Sequence, residues 1–133
     1  MDDNIQTLPI SAYERQKLND FLIGEFGNIK GSFLVKNGEW WRRGDWESPS
    51  LLDTDLDRII GYTHCIPVTV LINQEPIETV WWGDVYVNTN YRGKRLQSRM
   101  NEFVKQRGLV LGFPNDVGAK VYAREGWGVI RGI

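Results

Sequence analysis

The chain of 133 residues has one cysteine, one histidine, almost no net charge and no long apolar run. A lone Cys65 excludes an intramolecular disulfide and a thiolate-based zinc site, and a single histidine builds no other centre, so no metal is expected. Sixteen Lys and Arg against seventeen Asp and Glu give a formal charge of -1. That balance argues against a protein whose main business is coating nucleic acid or an anionic membrane, and it makes any basic site a local one. With an acidic N-terminus, Met1-Asp2-Asp3-Asn4, and no membrane-length stretch, neither a signal peptide nor a transmembrane helix is expected. The scarcity of cysteine fits a reducing, cytoplasmic compartment.

What is present is an ordinary globular composition, 41% hydrophobic and 25% charged, with six tryptophans. The length suits one domain holding a single core. Ile5 to Ile10 reads as an edge strand interrupted by Pro9. Ser11 and Glu14 have the form of a capping box, and Leu18, Phe21, Leu22 and Phe26 then share one face, which predicts a helix over 12–26 ended by Gly27. Residues 28–58 show no sustained period and read as an aromatic loop, with or without a short helix. There Trp40, Trp41 and Trp46 alternate with Arg42, Arg43, Asp45 and Glu47, the pattern of a lid packed on the sheet or of rings lining a pocket for a cationic group.

From Arg58 the pattern is β. Ile59 to Tyr62 and Val68 to Ile72 are strand-like with a bend expected at Pro67, Asn73 to Pro76 is a turn, and Ile77 to Asn88 returns as the antiparallel partner. Gly83, in the middle of that second run, marks a bulge or a close approach by a ligand. The stretch Tyr91-Arg92-Gly93-Lys94-Arg95-Leu96-Gln97-Ser98 then leads into a helix whose apolar residues are Leu96, Met100, Phe103 and Val104, closed by Gly108. A helix start with unpaired N–H groups, flanked by three cations, favours an anion. Leu109 to Phe113 reads as a strand parallel to the one before the helix, Val117 to Glu125 as a short helix and Trp127 to Ile133 as a last strand.

In that order of elements, two motifs resemble the GNAT superfamily of acyl-CoA N-acyltransferases. Val85-Tyr86-Val87 followed by Tyr91-Arg92-Gly93-Lys94 is similar to the family's strand and Arg-x-x-Gly-x-Gly phosphate loop. Asn115, Gly118, Tyr122, Gly126 and Trp127 match the spacing of its Asn-x-x-Ala-x-x-x-Tyr-x-x-x-Gly-aromatic helix. The resemblance implies an α/β (α+β) fold, a mixed and mostly antiparallel twisted sheet flanked by helices. Residues 1–58 would form the N-terminal strand, helix and acceptor-side loop, and 59–133 the acyl-CoA-binding core. Two departures stand out. Arg95 and Gln97 occupy the two later glycine positions of the phosphate loop, as in members resembling the aminoglycoside 2′-N-acetyltransferases. The other departure is that one strand instead of a hairpin fits after Trp127, so the last strand is missing or comes from another chain, as in a homodimer.

The resemblance further implies acetyl-CoA as cosubstrate and a small-molecule or peptide amine as acceptor. Backbone groups of Val85, Tyr86 and Val87 would meet the pantetheine. Arg92, Gly93, Lys94, Arg95, Leu96, Gln97 and Ser98 would hold the pyrophosphate, and Asn115 would contact the cofactor. Tyr122 would be the general acid toward the thiolate, and Asp84 a base working through water or an orienting group for the amine. Sole His64, on a strand beside Cys65, reads as a packed residue. A non-catalytic GNAT-like module that binds an acyl-CoA or a partner protein is the competing reading. Nucleic-acid binding through the basic turn and tryptophans agrees less well with the charge.

Overall fold

The computed structural model describes residues 4–37, 48–106, 110–112, 120, 123–124 and 126–128. Its strands β1 (Ile5–Pro9), β2 (Pro49–Asp53), β3 (Arg58–Ile72), β4 (Glu75–Val87) and β5 (Val110–Leu111) form one sheet in sequence order. The first four run antiparallel to their neighbours, and β5 lies parallel to β4. The mixed, mostly antiparallel sheet is thus as expected. Two α-helices are described, α1 (Arg15–Lys36) and α2 (Leu96–Lys105). No described helix is long and apolar enough to cross a membrane.

The strands carry apolar residues on both faces because each face is covered by a helix. Ile60, Cys65, Val80 and Trp82 pack with Leu96, Met100 and Val104 of α2. Ile59 and Tyr62 pack with Leu18, Leu22 and Leu34 of α1. Ile59 and Tyr62 share a face although three residues apart, because β3 carries an extra residue where Leu51 pairs with Gly61 and Leu52 with Ile59. Gly61 belongs at that bulge, since a Cβ there would lie 2.7 Å from Cδ1 of Leu51.

Several expectations need correction. Helix α1 begins after Glu14, whose side chain makes no cap bond, so the Ser11 capping box does not form. Residues Ile10–Ala12 make a 3₁₀ turn instead, and Tyr13 re-extends to place its hydroxyl 2.7 Å from Oγ of Ser50. Gly27 does break the helix, at φ 84 and ψ 174, but the chain resumes a helical path over 28–36. Gly31 lets this second segment fold against the first, because a Cβ there would sit 2.5 Å from the Leu22 carbonyl oxygen. The expected loop over 28–58 therefore yields to helix as far as Lys36 and to strand β2. Residues 38–47, with Trp40, Trp41 and Trp46, lie outside the described residues. Pro67 does not interrupt β3: it pairs in register with Val80, beyond the reach of β2, where the strand has lost one neighbour and tolerates a missing N–H.

Candidate active site

Among the described residues β5 pairs with β4 at Val80 with Val110 and at Trp81 with Leu111, and β4 continues to Val87. Further along, β4 bulges. Tyr62 pairs with Tyr86 and His64 with Gly83, so Asp84 and Val85 together oppose Thr63. The Thr63 hydroxyl fixes the bulge by donating to the Gly83 carbonyl at 2.6 Å. Such a bulge leaves a residue out of the ladder and re-aims its neighbours, freeing main-chain groups for another partner. The α2 side is held firm by Trp82, stacked on Trp127 at 5.6 Å and 15°. Nε1 of Trp127 in turn donates to the Asn101 side chain of α2 at 2.9 Å.

From Val87 the chain makes a tight passage into α2. The Asn88 side chain accepts from the Asn90 N–H at 3.0 Å and starts a 3₁₀ turn, Thr89–Tyr91. The Tyr91 hydroxyl then reaches across to Asp53, donating at 2.6 Å. That bond is the main reason the Asp53 carboxyl is held below the usual carboxylate range, with Asn4 and the N–H groups of Leu56 and Asp55 adding to it. The same bond, with the Asp53 charge, pushes the Tyr91 phenol up. Gly93 at φ 84 and Arg95 at φ 57 are both left-handed, and the helix starts at Leu96, whose buried side chain anchors it. Residues 92–95 are exposed.

This start of α2 is electropositive twice over. Arg95 is the N-cap and its side chain makes no cap bond, so the first amides of the helix are not covered by it. The Ser98 N–H bonds the Arg95 carbonyl at 3.2 Å and is thereby used inside the helix. Arg92, Lys94 and Arg95 surround the turn. Nε of Arg92 donates to the Val87 carbonyl at 2.8 Å and its guanidinium lies 5.7 Å from the Tyr86 ring. Lys94 places Nζ 5.8 Å from the Tyr91 ring. Phosphate groups suit such an exposed, cationic helix start.

On the opposite face, Tyr86 points to α1. Its hydroxyl donates to Glu25 at 2.6 Å, Asn88 donates to the same carboxylate at 3.2 Å, and Arg58 stands 3.7 Å away. Rings of Phe21 and Phe26 lie 6.4 and 5.2 Å from Tyr86. Burial, followed by the Glu25 hydrogen bond, pushes the Tyr86 phenol above its ordinary value.

No family sequence model matches the chain, and no curated protein matches it. Solved structures do. An acetyltransferase of Trypanosoma brucei aligns over 97% of this chain and 96% of its own, with a TM-score of 0.70 at 16% identity. Glucosamine-6-phosphate N-acetyltransferase from Arabidopsis thaliana aligns over 97% and 95%, at TM-score 0.73 and 15% identity. AAC(6')-Iy, in complex with the bisubstrate analogue CoA-S-monomethyl-acetylneamine, aligns over 97% and 92%, at TM-score 0.67 and 14% identity. The fold is that of the GNAT acyltransferases.

Within this GNAT fold, Val85, Tyr86 and Val87 and the run from Arg92 to Ser98 come together at the end of β4 and the start of α2. Asp84 stands in the bulge. Asn115 and Tyr122 lie outside the described residues, of which Lys120, Ala123 and Arg124 are helical. Leu96 has only main chain to offer a ligand, its side chain being core, and the Tyr86 hydroxyl is committed to Glu25. Sequence reasoning missed Thr63, Asp53 and Glu25, the three side chains that set the bulge, the turn and the Tyr86 ring. Their partners are 20, 38 and 61 residues away, so no local spacing announces them. Among the described residues no group of His, Cys, Asp or Glu is arranged to hold a metal ion.

Proposed function

We propose that the chain is an acyl-CoA-dependent N-acyltransferase that moves an acetyl group from acetyl-CoA to a primary amine on a small molecule or peptide. The observation that carries this is the bulge near the end of β4, from which the chain passes into an exposed, cationic helix start. A pantetheine arm has the bulged strand to run along, and a pyrophosphate has the turn 92–98 to meet. Two structures of the same fold bear names that join an acetyl or CoA group to an amine-bearing sugar compound, which supports the same chemistry here.

The chain's own groups then divide the work. Main-chain amides at the start of α2, with Arg92, Lys94 and Arg95, hold the phosphates. The bulge at Asp84 and Val85 turns an N–H toward the thioester carbonyl and stabilises its developing negative charge. Asp84 orients the amine, and Tyr122 gives its proton to the departing thiolate. A specific observation favours a second reading, a module that binds acyl-CoA without turnover. Arg92 folds back onto the Val87 carbonyl, and Arg95 takes a left-handed position where the resemblance expects glycine. A thiol-release assay with acetyl-CoA and a panel of primary amines separates the two. Release that depends on an added amine supports the enzyme; saturable binding of acetyl-CoA with no release supports the module.

A further inference from the structure

The hydroxyl that fixes the bulge has a consequence for the chemistry beside it. Thr63 is fully buried, and its β-branched side chain has little choice of χ1, so the strand on which it stands sets the direction of the hydroxyl. On either side of it the pairing of β3 with β4 is regular. Tyr62 pairs with Tyr86 and the Asn88 N–H donates to the Ile60 carbonyl at 2.7 Å on one side, and His64 pairs with Gly83 and Cys65 with Trp82 on the other. The far side of β3 is pinned as well, the Cys65 N–H donating to Oγ of Ser48 at 2.7 Å. The extra residue of β4 is thus confined to the stretch that Thr63 faces. There the Thr63 hydroxyl donates to the Gly83 carbonyl at 2.6 Å. That carbonyl and the Asp84 N–H belong to one planar trans peptide and point in opposite directions. A carbonyl drawn toward β3 therefore turns the Asp84 N–H away from β3, out of the ladder between the two strands.

We propose that Thr63 is a positioning residue of the acyl transfer, a reading that rests on the acyltransferase assignment. Its hydroxyl fixes the peptide between Gly83 and Asp84, and through it the main-chain donors of the bulge, at Asp84 and Val85, that meet the thioester carbonyl. As the amine nitrogen adds to the thioester carbon, an electron pair passes onto the carbonyl oxygen. It returns when the C–S bond breaks, and the proton lost by the nitrogen is the one the departing thiol gains. A donor held in place beforehand stabilises the charged oxygen with no reorganisation at the moment of reaction. The phosphates, by contrast, are held at the start of α2, so loss of the Thr63 hydroxyl falls on charge that develops during the reaction and spares the binding of the cofactor. Valine has the same branching but donates nothing, and a carbonyl deprived of its partner turns its peptide toward another one.

The test uses the full chain and two variants, Thr63→Val, which keeps the shape and removes the donor, and Thr63→Ser, which keeps the donor. Calorimetry reads acetyl-CoA binding, thiol release with a panel of primary amines reads turnover, and difference infrared spectra read the carbonyl stretch of bound acetyl-CoA labelled at its carbonyl carbon. In the wild type that stretch should lie below the value for free acetyl-CoA. Thr63→Val should bind acetyl-CoA within about twofold of the wild type, lose roughly 10- to 100-fold in kcat and return the stretch toward the free value. Thr63→Ser should recover most of both. Wild-type kcat and stretch in Thr63→Val overturn the proposal, and so does a serine variant as impaired as the valine one, since the methyl group and not the hydroxyl then matters. Should Thr63→Val fail to fold, amide NMR of the wild type decides. The Asp84 and Val85 amides should shift more with acetyl-CoA than with CoA, which lacks the thioester carbonyl, and equal shifts overturn the proposal. Acetyl-CoA binding without turnover of any amine overturns the positioning role and leaves the cofactor site standing. Absence of acetyl-CoA binding overturns the acyltransferase reading itself, and the part of Thr63 with it.

Discussion

Replacing Arg95 by glycine should make the protein more stable and a poorer acetyl-CoA binder at once. Arg95 holds φ 57 and ψ 27 as the N-cap of α2, is exposed, and makes no cap bond. A left-handed backbone costs a non-glycine residue roughly 1–2 kcal/mol. Glycine removes that cost and returns about 0.5–1 kcal/mol through its greater freedom in the unfolded chain. The balance is a stabilisation of about 0.5 kcal/mol, or about 2 °C in Tm. Against this, a guanidinium that bonds a phosphate contributes about 1.5–3 kcal/mol, so its loss should weaken Kd by about 10- to 150-fold. The difference should shrink as salt is added. Thermal melts and calorimetry on the two proteins read both quantities. Should Arg95→Gly bind acetyl-CoA as tightly as the wild type, or more tightly, the side chain hinders the cofactor and the reasoning fails.

Two glycines of α1 provide opposite outcomes in one helix. At Gly24 a Cβ meets nothing within 4 Å, so Gly24→Ala should stabilise by about 0.5–1 kcal/mol in urea unfolding. At Gly31 the Cβ would meet backbone of Leu22 and Ile23, so Gly31→Ala should destabilise by about 1–3 kcal/mol. The pH dependence has a definite sign at each end. Asp53 titrates low because Tyr91 bonds its charged form, so that stabilisation is complete above the ordinary carboxylate pKa and lost as pH falls through the lowered value. The stability difference between wild type and Tyr91→Phe, read by denaturant titration, should therefore shrink in acid. Tyr86 titrates high because of its burial and of Glu25, so its contribution is complete below the ordinary phenol value of about 10 and is lost above the raised one. The difference between wild type and Tyr86→Phe should accordingly vanish in strong alkali.

Much of the cofactor-side architecture is legible in the sequence because it is local. Leu96, Met100 and Val104 repeat with helical spacing and are all buried, and Gly83 punctuates β4 next to the bulge that forms. The antiparallel pairing of β3 with β4 and the parallel return of β5 follow from the turn, which the structure tightens to Asn73 and Gln74, and from the intervening helix. Strand β2 is not legible, because Pro49-Ser50-Leu51-Leu52-Asp53 is buried on both faces and has no alternation to read. Glycine misleads in α1: Gly27 is a break and Gly31 a packing contact, yet both look like loop punctuation.

The central claim is that the bulged end of β4 and the start of α2 form an acyl-CoA site. Backbone amide NMR with acetyl-CoA added stepwise tests it most directly. Saturable shifts concentrated at residues 83–87 and 92–98, one cofactor per chain, are the expected result. Shifts concentrated elsewhere, or none at millimolar acetyl-CoA, would contradict it.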